Sequence, residues 1–141
     1  TIVTCGKNGI HKLVYWAVNR CGNEEIPNIL WFKIDINEPP EVKIIEPTPG
    51  IYIFGNKICT AEKIILFGEF TIKAYANDLT SGINKIKYYL DNEKIGESTK
   101  APYECYCGYK HNGKGTLKVI AEDLAENTAE TTLDIVYYNF F

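Results

Sequence analysis

The run Gly9-Ile10-His11-Lys12-Leu13-Val14-Tyr15-Trp16-Ala17-Val18-Asn19-Arg20-Cys21-Gly22-Asn23 recurs later in the chain. The second version is Gly113-Lys114-Gly115-Thr116-Leu117-Lys118-Val119-Ile120-Ala121-Glu122-Asp123-Leu124-Ala125-Glu126-Asn127, aligned without a gap. Gly, Leu, Ala and Asn coincide at 9/113, 13/117, 17/121 and 23/127, and Asn19 stands over Asp123. Each version precedes a second β-rich run, residues 29–36 and 131–138. The offset of 104 is the size of one β-sandwich domain with a short linker. If residues 113–138 hold the last two strands of one module, residues 9–36 hold the last two of its predecessor. The chain then divides into 1–38, the C-terminal strands of an incomplete module plus linker, and 39–141, a complete module.

Alternation of apolar and polar residues carries the reading outward. Val42 and Ile44, then residues 51–54, flank a Pro47-Thr48-Pro49-Gly50 break, a first strand split where proline is tolerated. Residues 70–76 alternate and stop at Asn77-Asp78, and Thr80-Ser81-Gly82 is turn chemistry. Residues 83–90 run through Asp91-Asn92-Glu93 to Ile95 as a hairpin. Residues 102–109 read as another strand and His111-Asn112-Gly113 as a turn, while residues 61–66 suit either a strand or one helical turn. About seven strands with turns every 8–12 residues fit an all-β sandwich. Its expected core is Val42, Ile44, Ile72, Ala74, Ile86, Tyr88, Leu117, Val119, Ala121, Leu133 and Ile135.

Composition agrees. Eighteen aromatics and nineteen isoleucines among 141 residues favour strands. A 45% hydrophobic share supports a core, and 23% charged residues argues against a disordered tail. A net charge of −3, with basic residues spread singly, gives no footprint for nucleic acid. No apolar run reaches the roughly 18 residues of a membrane span. Met is absent, even at position 1, as expected of a processed product or a piece of something longer.

The pattern Pro39-Pro40-x-Val42…Pro47-x-x-Gly50-x-Tyr52, then Ala74-x-Ala76-x-Asp78-x-x-Ser81-Gly82-Ile83, resembles bacterial and archaeal Ig-like modules of tandem-repeat surface proteins. So do Tyr89-Leu90-Asp91, Ile95-Gly96, Ala101-Pro102-Tyr103-Glu104 and Gly115-x-Leu117-x-Val119-x-Ala121-x-Asp123. The segment Gly9-x-His11-x-Leu13-x-Tyr15-x-Ala17, with Gly22-Asn23-x-Glu25, looks like the end of a related module. The resemblance departs at Cys21, Cys59, Cys105 and Cys107, at Glu126 where such modules usually carry Gly, and over residues 57–67. It implies an Ig-like antiparallel β-sandwich preceded by the terminal hairpin of a second, incomplete one, located outside the cell as stalk, spacer or adhesive unit.

In an extracellular sandwich, cysteines read as disulfides. Cys59 can pair with Cys105 or Cys107, not both. Cys5 and Cys21 bracket a strand about 33 Å long, so one of them more plausibly reaches another module or chain. Asp35, Asn37 and Glu38 supply hard oxygens at the joint, a candidate calcium site. Calcium takes about 6–8 oxygens, so a solvated proline linker is the plainer account. No other cofactor is indicated.

No enzyme motif emerges. His11 and His111 lack metal spacing, and Cys105-x-Cys107 lacks the CxxC pairing of zinc sites. There is no nucleophile elbow, phosphate loop or glycosidase carboxylate pair. The expectation is a non-catalytic extracellular module of a surface stalk, adhesin or self-assembling filament. Its partners would be neighbouring Ig-like modules or identical subunits, joined by strand addition in the filament case. The alternative is a carbohydrate-binding accessory module of a secreted enzyme or surface protein, presenting Tyr103, Tyr106 and Tyr109 to a glycan.

Overall fold

β-Branched and aromatic residues at every second position build twelve strands and no helix in the computed structural model, which describes residues 6, 8–34, 36 and 38–141. β1 (Gly9–Tyr15) and β2 (Asn28–Ile34) form an antiparallel two-stranded sheet of their own. A three-stranded sheet holds β3 (Glu41–Glu46), β7 (Phe70–Asn77) and β10 (Tyr103–Cys107), with β7 in the middle. The larger sheet runs β5 (Asn56–Cys59), β4 (Gly50–Ile53), β6 (Ile64–Phe67), β12 (Thr128–Asn139), β11 (His111–Asp123), β8 (Ile83–Leu90) and β9 (Glu93–Ser98). The last two sheets face each other as an Ig-like β-sandwich.

The split first strand is a change of sheet. β3 pairs with β7 on one side of the sandwich, and after the Pro47-Pro49 break β4 pairs parallel with β6 on the other. Proline lacks an N–H for the ladder, so the chain can leave one sheet there at little cost. Of residues 61–66, the second half is strand: β6, from Ile64, lies between β4 and β12, parallel to both, and buries Ile64 and Leu66. The module holds more than seven strands because β4 and β5 form an extra hairpin around Phe54-Gly55. His111-Asn112-Gly113 is not a turn. It opens β11, where His111 and Gly113 pair with Asn139 and Tyr137, and Gly113 at φ +112° accommodates the backbone.

Every second residue of the central strands points inward. Ile72, Ala74, Ile86, Tyr88, Leu117, Val119, Ala121 and Ile135 are buried as expected, while Val42, Ile44 and Leu133 pack against them partly covered. Tyr52, Ile64, Leu66, Phe70, Leu90, Cys105, Cys107 and Tyr137 complete the core. Burying one large side chain is worth about 1.5–3 kcal/mol. Tyr137 contributes most visibly, with Phe70 edge-on at 5.0 Å and His111 stacked at 5.4 Å.

The chain enters and leaves this sandwich at opposite poles. Glu41 pairs with Asn77 beside the residue 78–82 turn, and Leu124 N–H donates to the Gly82 carbonyl at 3.0 Å, so the 123–127 turn shares that entry pole. β12 then runs the length of the sandwich to Asn139, whose side chain donates to the Gly108 and Tyr109 carbonyls at 3.1 and 3.3 Å.

Candidate functional site

Two turns, one per hairpin, have the same construction. After β11, Asp123 accepts hydrogen bonds from the N–H groups of Ala125 and Asn127, both at 2.8 Å, while its own N–H donates to the Asn127 carbonyl at 3.0 Å. After β1, Asn19 accepts from Cys21 and Asn23 at 2.9 and 3.0 Å, and its N–H donates to the Asn23 carbonyl at 2.9 Å. The third turn position needs positive φ in both: +83° at Gly22 and +69° at Glu126. The repeat at 104 is thus matched in its backbone hydrogen bonds, and the Asp123 turn adds one from the Asn127 side chain to the second carboxylate oxygen. Short polar side chains that bond their own backbone two residues on make such turns.

The joint is polar. The Asn8 side chain accepts the Ile36 N–H at 2.6 Å and donates to the Ile36 carbonyl at 3.2 Å. Glu38 accepts the Thr80 hydroxyl at 2.7 Å. Hydrogen bonds from Asn8 and then Thr80 hold its carboxyl below the usual range against the nearby charge of Asp78. Asn8, Gly9, Ile10, Lys33, Glu38, Leu79 and Thr80 line a cleft of about 280 Å³ there. Of the proposed calcium ligands, Glu38 is engaged as described, and Asp35 and Asn37 lie outside the described residues. Among the described residues no cluster of three His, Cys, Asp or Glu is placed to hold a metal.

The expected disulfide of Cys59 with Cys105 or Cys107 is corrected. Cys21, Cys59, Cys105 and Cys107 are free thiols, and Cys5 lies outside the described residues. Cys59 is exposed on β5, one outer edge of the large sheet. Cys105 and Cys107 are buried under the sandwich, with Cys105 against Gly96 on β9, the opposite edge. The width of the sheet separates Cys59 from Cys105, while Cys107, beside Tyr137 of β12, lies three strands from Cys59. Burial pushes the Cys105 thiol up to about 11 and raises that of Cys107, so both are packing groups.

The three tyrosines make no common platform. Alternation along β10 turns Tyr103 against the core and Tyr106 outward, and exposed Tyr109 follows in the loop. The Tyr106 hydroxyl donates to Glu69 at 2.7 Å.

One pairing was not legible in the sequence. His111 Nε2 meets Asp91 Oδ2 at 2.8 Å, and Nδ1 meets the Tyr137 carbonyl at 3.0 Å. Both partners are acceptors, so the doubly protonated ring satisfies both. Burial opposes that charge, but the bonds to Asp91 and Tyr137 outweigh it and hold the His111 pKa above its ordinary value. With both nitrogens engaged, the dyad clasps β11 to the β8–β9 turn and has no base free for a nucleophile. Beside it, where β12 and β6 diverge, an open groove of about 710 Å³ mixes Glu62, Lys63, Lys114 and Asp134 with Ile64 and Leu133. His11 is stacked on Phe32 at 5.7 Å. Among the described residues no helix is long and apolar enough to cross a membrane.

Residues 40–119 match the family model described as bacterial Ig domain. Among solved structures, the fibronectin(III)-like modules of Clostridium thermocellum CbhA align with a TM-score of 0.57 at 22% identity, over 97% of this chain and 65% of theirs. The chain therefore spans just under two thirds of that structure. A beta-glucuronidase of Bacteroides uniformis aligns with a TM-score of 0.47 at 13% identity, over 74% of this chain and 11% of its own. No curated protein sequence matches the chain.

Proposed function

The chain belongs to the bacterial Ig domain family, and on that premise we propose that it is a non-catalytic structural unit of a serial array outside the cell. The observation that carries this reading is the opposite placement of entry and exit: the chain arrives beside Thr80 and Leu124 and departs beyond Asn139. A unit threaded pole to pole passes tension along its strands. Pulling on the two ends slides β12 along β6, its parallel neighbour, and along β11, so their hydrogen bonds are loaded together in shear. The proline joint and the Glu38–Thr80 bond set the direction in which the chain enters.

The test is single-molecule extension of residues 39–141 held at both ends. Unfolding in one step that releases about 35 nm of chain supports the reading, taking about 3.4 Å per residue. Gradual extension without a discrete step would sink it. The carbohydrate-binding reading is tested separately on a glycan array, where saturable binding lost in Tyr106→Ala would replace the structural role with a recognition one.

A further inference from the structure

β1–β2 presents two faces. On one, His11, Leu13 and Tyr15 stand opposite Phe32, Leu30 and Asn28, with Gly9 opposite Ile34. The other carries Ile10, Lys12 and Val14 opposite Lys33, Trp31 and Ile29. In the equivalent hairpin β11–β12, the positions matching the first face are Leu117, Val119, Leu133, Ile135 and Tyr137. There they lie under the β10-β7-β3 sheet, and Leu117 and Val119 are fully buried. On β1–β2 no second sheet lies over them among the described residues: Tyr15 is 53% and Leu30 52% exposed, while Leu13, Phe32 and Ile34 are half-buried. An open two-stranded hairpin is marginal in water, and a continuous apolar face of this kind marks a docking surface.

We propose that the Leu13–Tyr15–Leu30–Phe32 face is the inner face of a second Ig-like sandwich, and that its occupant is a three-stranded antiparallel sheet of the β10-β7-β3 kind on the same polypeptide, ahead of β1. Three observations select that occupant. The two hairpins share the backbone hydrogen bonds of their turn, accepted by Asn19 and Asp123. They share their register, since Leu13 pairs Leu30 as Leu117 pairs Leu133. They also share the lead-in, Asn8-Gly9 over Asn112-Gly113. The same polypeptide is chosen because only residues 108–110 separate β10 from β11, so the covering sheet feeds its hairpin directly. A second copy of this chain offers no such sheet, because its own is already covered by β8, β11 and β12. The inference rests on reading the chain as one unit of a series, but its test involves neither force nor location.

The experiment joins a copy of residues 39–111 directly to Asn8 of the chain, restoring the period of 104. Backbone hydrogen exchange of β1–β2 is compared with and without the added sheet. A second version carries Tyr15→Val, Phe32→Ile and Ile34→Tyr, which gives the hairpin the inward residues of β11–β12 and removes side-chain misfit. The expected result is exchange slowed at least 100-fold in β1–β2, in the second version if the first is overpacked. Unchanged exchange in both versions overturns the proposal. So does a 141-residue chain that sediments as a dimer with β1–β2 already protected, which would assign the face to a second copy. Loss of the discrete unfolding step in the pulling experiment would leave this exchange result standing, so the two failures are separable.

Discussion

Asp123 holds Asn127 from two sides. One carboxylate oxygen accepts the Asn127 backbone N–H at 2.8 Å, and the other accepts its side-chain amide at 2.9 Å. Asp123 is fully buried and satisfies three donors on a part-exposed turn. Asp123→Ala is expected to cost about 1–2 kcal/mol in urea denaturation, since the bonds to its carboxylate are lost together. Asp123→Asn, the residue used at position 19, is expected to cost less than half as much. Equal losses would mean that the second acceptor oxygen or the charge, both absent from Asn, makes the turn.

Glu126 sits at φ +69° where the sister turn has Gly22. The left-handed region costs a residue with a Cβ roughly 1–2 kcal/mol, and glycine gives part of that back through its looser unfolded chain. The Glu126 side chain is exposed. Glu126→Gly is therefore expected to stabilise the module by about 0.5–1 kcal/mol, read as a rise in Tm of a few degrees. A fall in Tm would show that the side chain has a role of its own.

Gly96 is held by sterics alone. A Cβ there would stand 2.5 Å from Cys105 Sγ, a short side chain with little room to turn. Gly96→Ala is expected to cost about 1–3 kcal/mol through overpacking. In a Cys105→Ala background most of that cost should vanish, and a double-mutant cycle measures the coupling directly. Additive losses would place the strain elsewhere.

The His111 clasp makes stability depend on pH. His111 has a raised pKa, so its contribution is complete below its ordinary value near 6.5 and is lost as pH climbs through the folded value. The hydrogen bond from His111, chiefly, lowers the Asp91 pKa, so that contribution is lost as pH falls through the acid range. The pair is strongest from about pH 5 to 6.5, and unfolding free energy is expected to decline by about 0.5–1 kcal/mol between pH 6 and 8.5. His111→Gln should flatten that slope. An unchanged slope would assign it to another group.

Thiol reagents should separate the cysteines. Cys21 and Cys59 are exposed and should be modified promptly in the native protein, whereas Cys105 and Cys107 should react only on unfolding. Prompt modification of Cys105 would contradict its place in the core.

The sandwich was legible because alternation is a local property. Ile72, Ala74, Leu117 and Val119 announce an inward face wherever the strand lies. The His111–Asp91 clasp was not legible, because its partners lie 20 residues apart and meet only when β11 pairs with β8 and the hairpin beyond it turns back. Nor could spacing reveal that β4 and β5 form a hairpin at the sheet edge, which carries Cys59 away from Cys105 and Cys107.

By itself the sequence determined most of the strands and turns and the repeat at 104, since residue type and spacing act through the nearest backbone. It did not determine the β4–β5 hairpin or the strand at His111-Asn112-Gly113. Only the tertiary structure decided which faces are covered. Leu13 and Leu117 occupy matching places in matching hairpins, yet only Leu117 lies under a second sheet. Burial depends on a partner surface folded from residues far along the chain, and no local pattern specifies that.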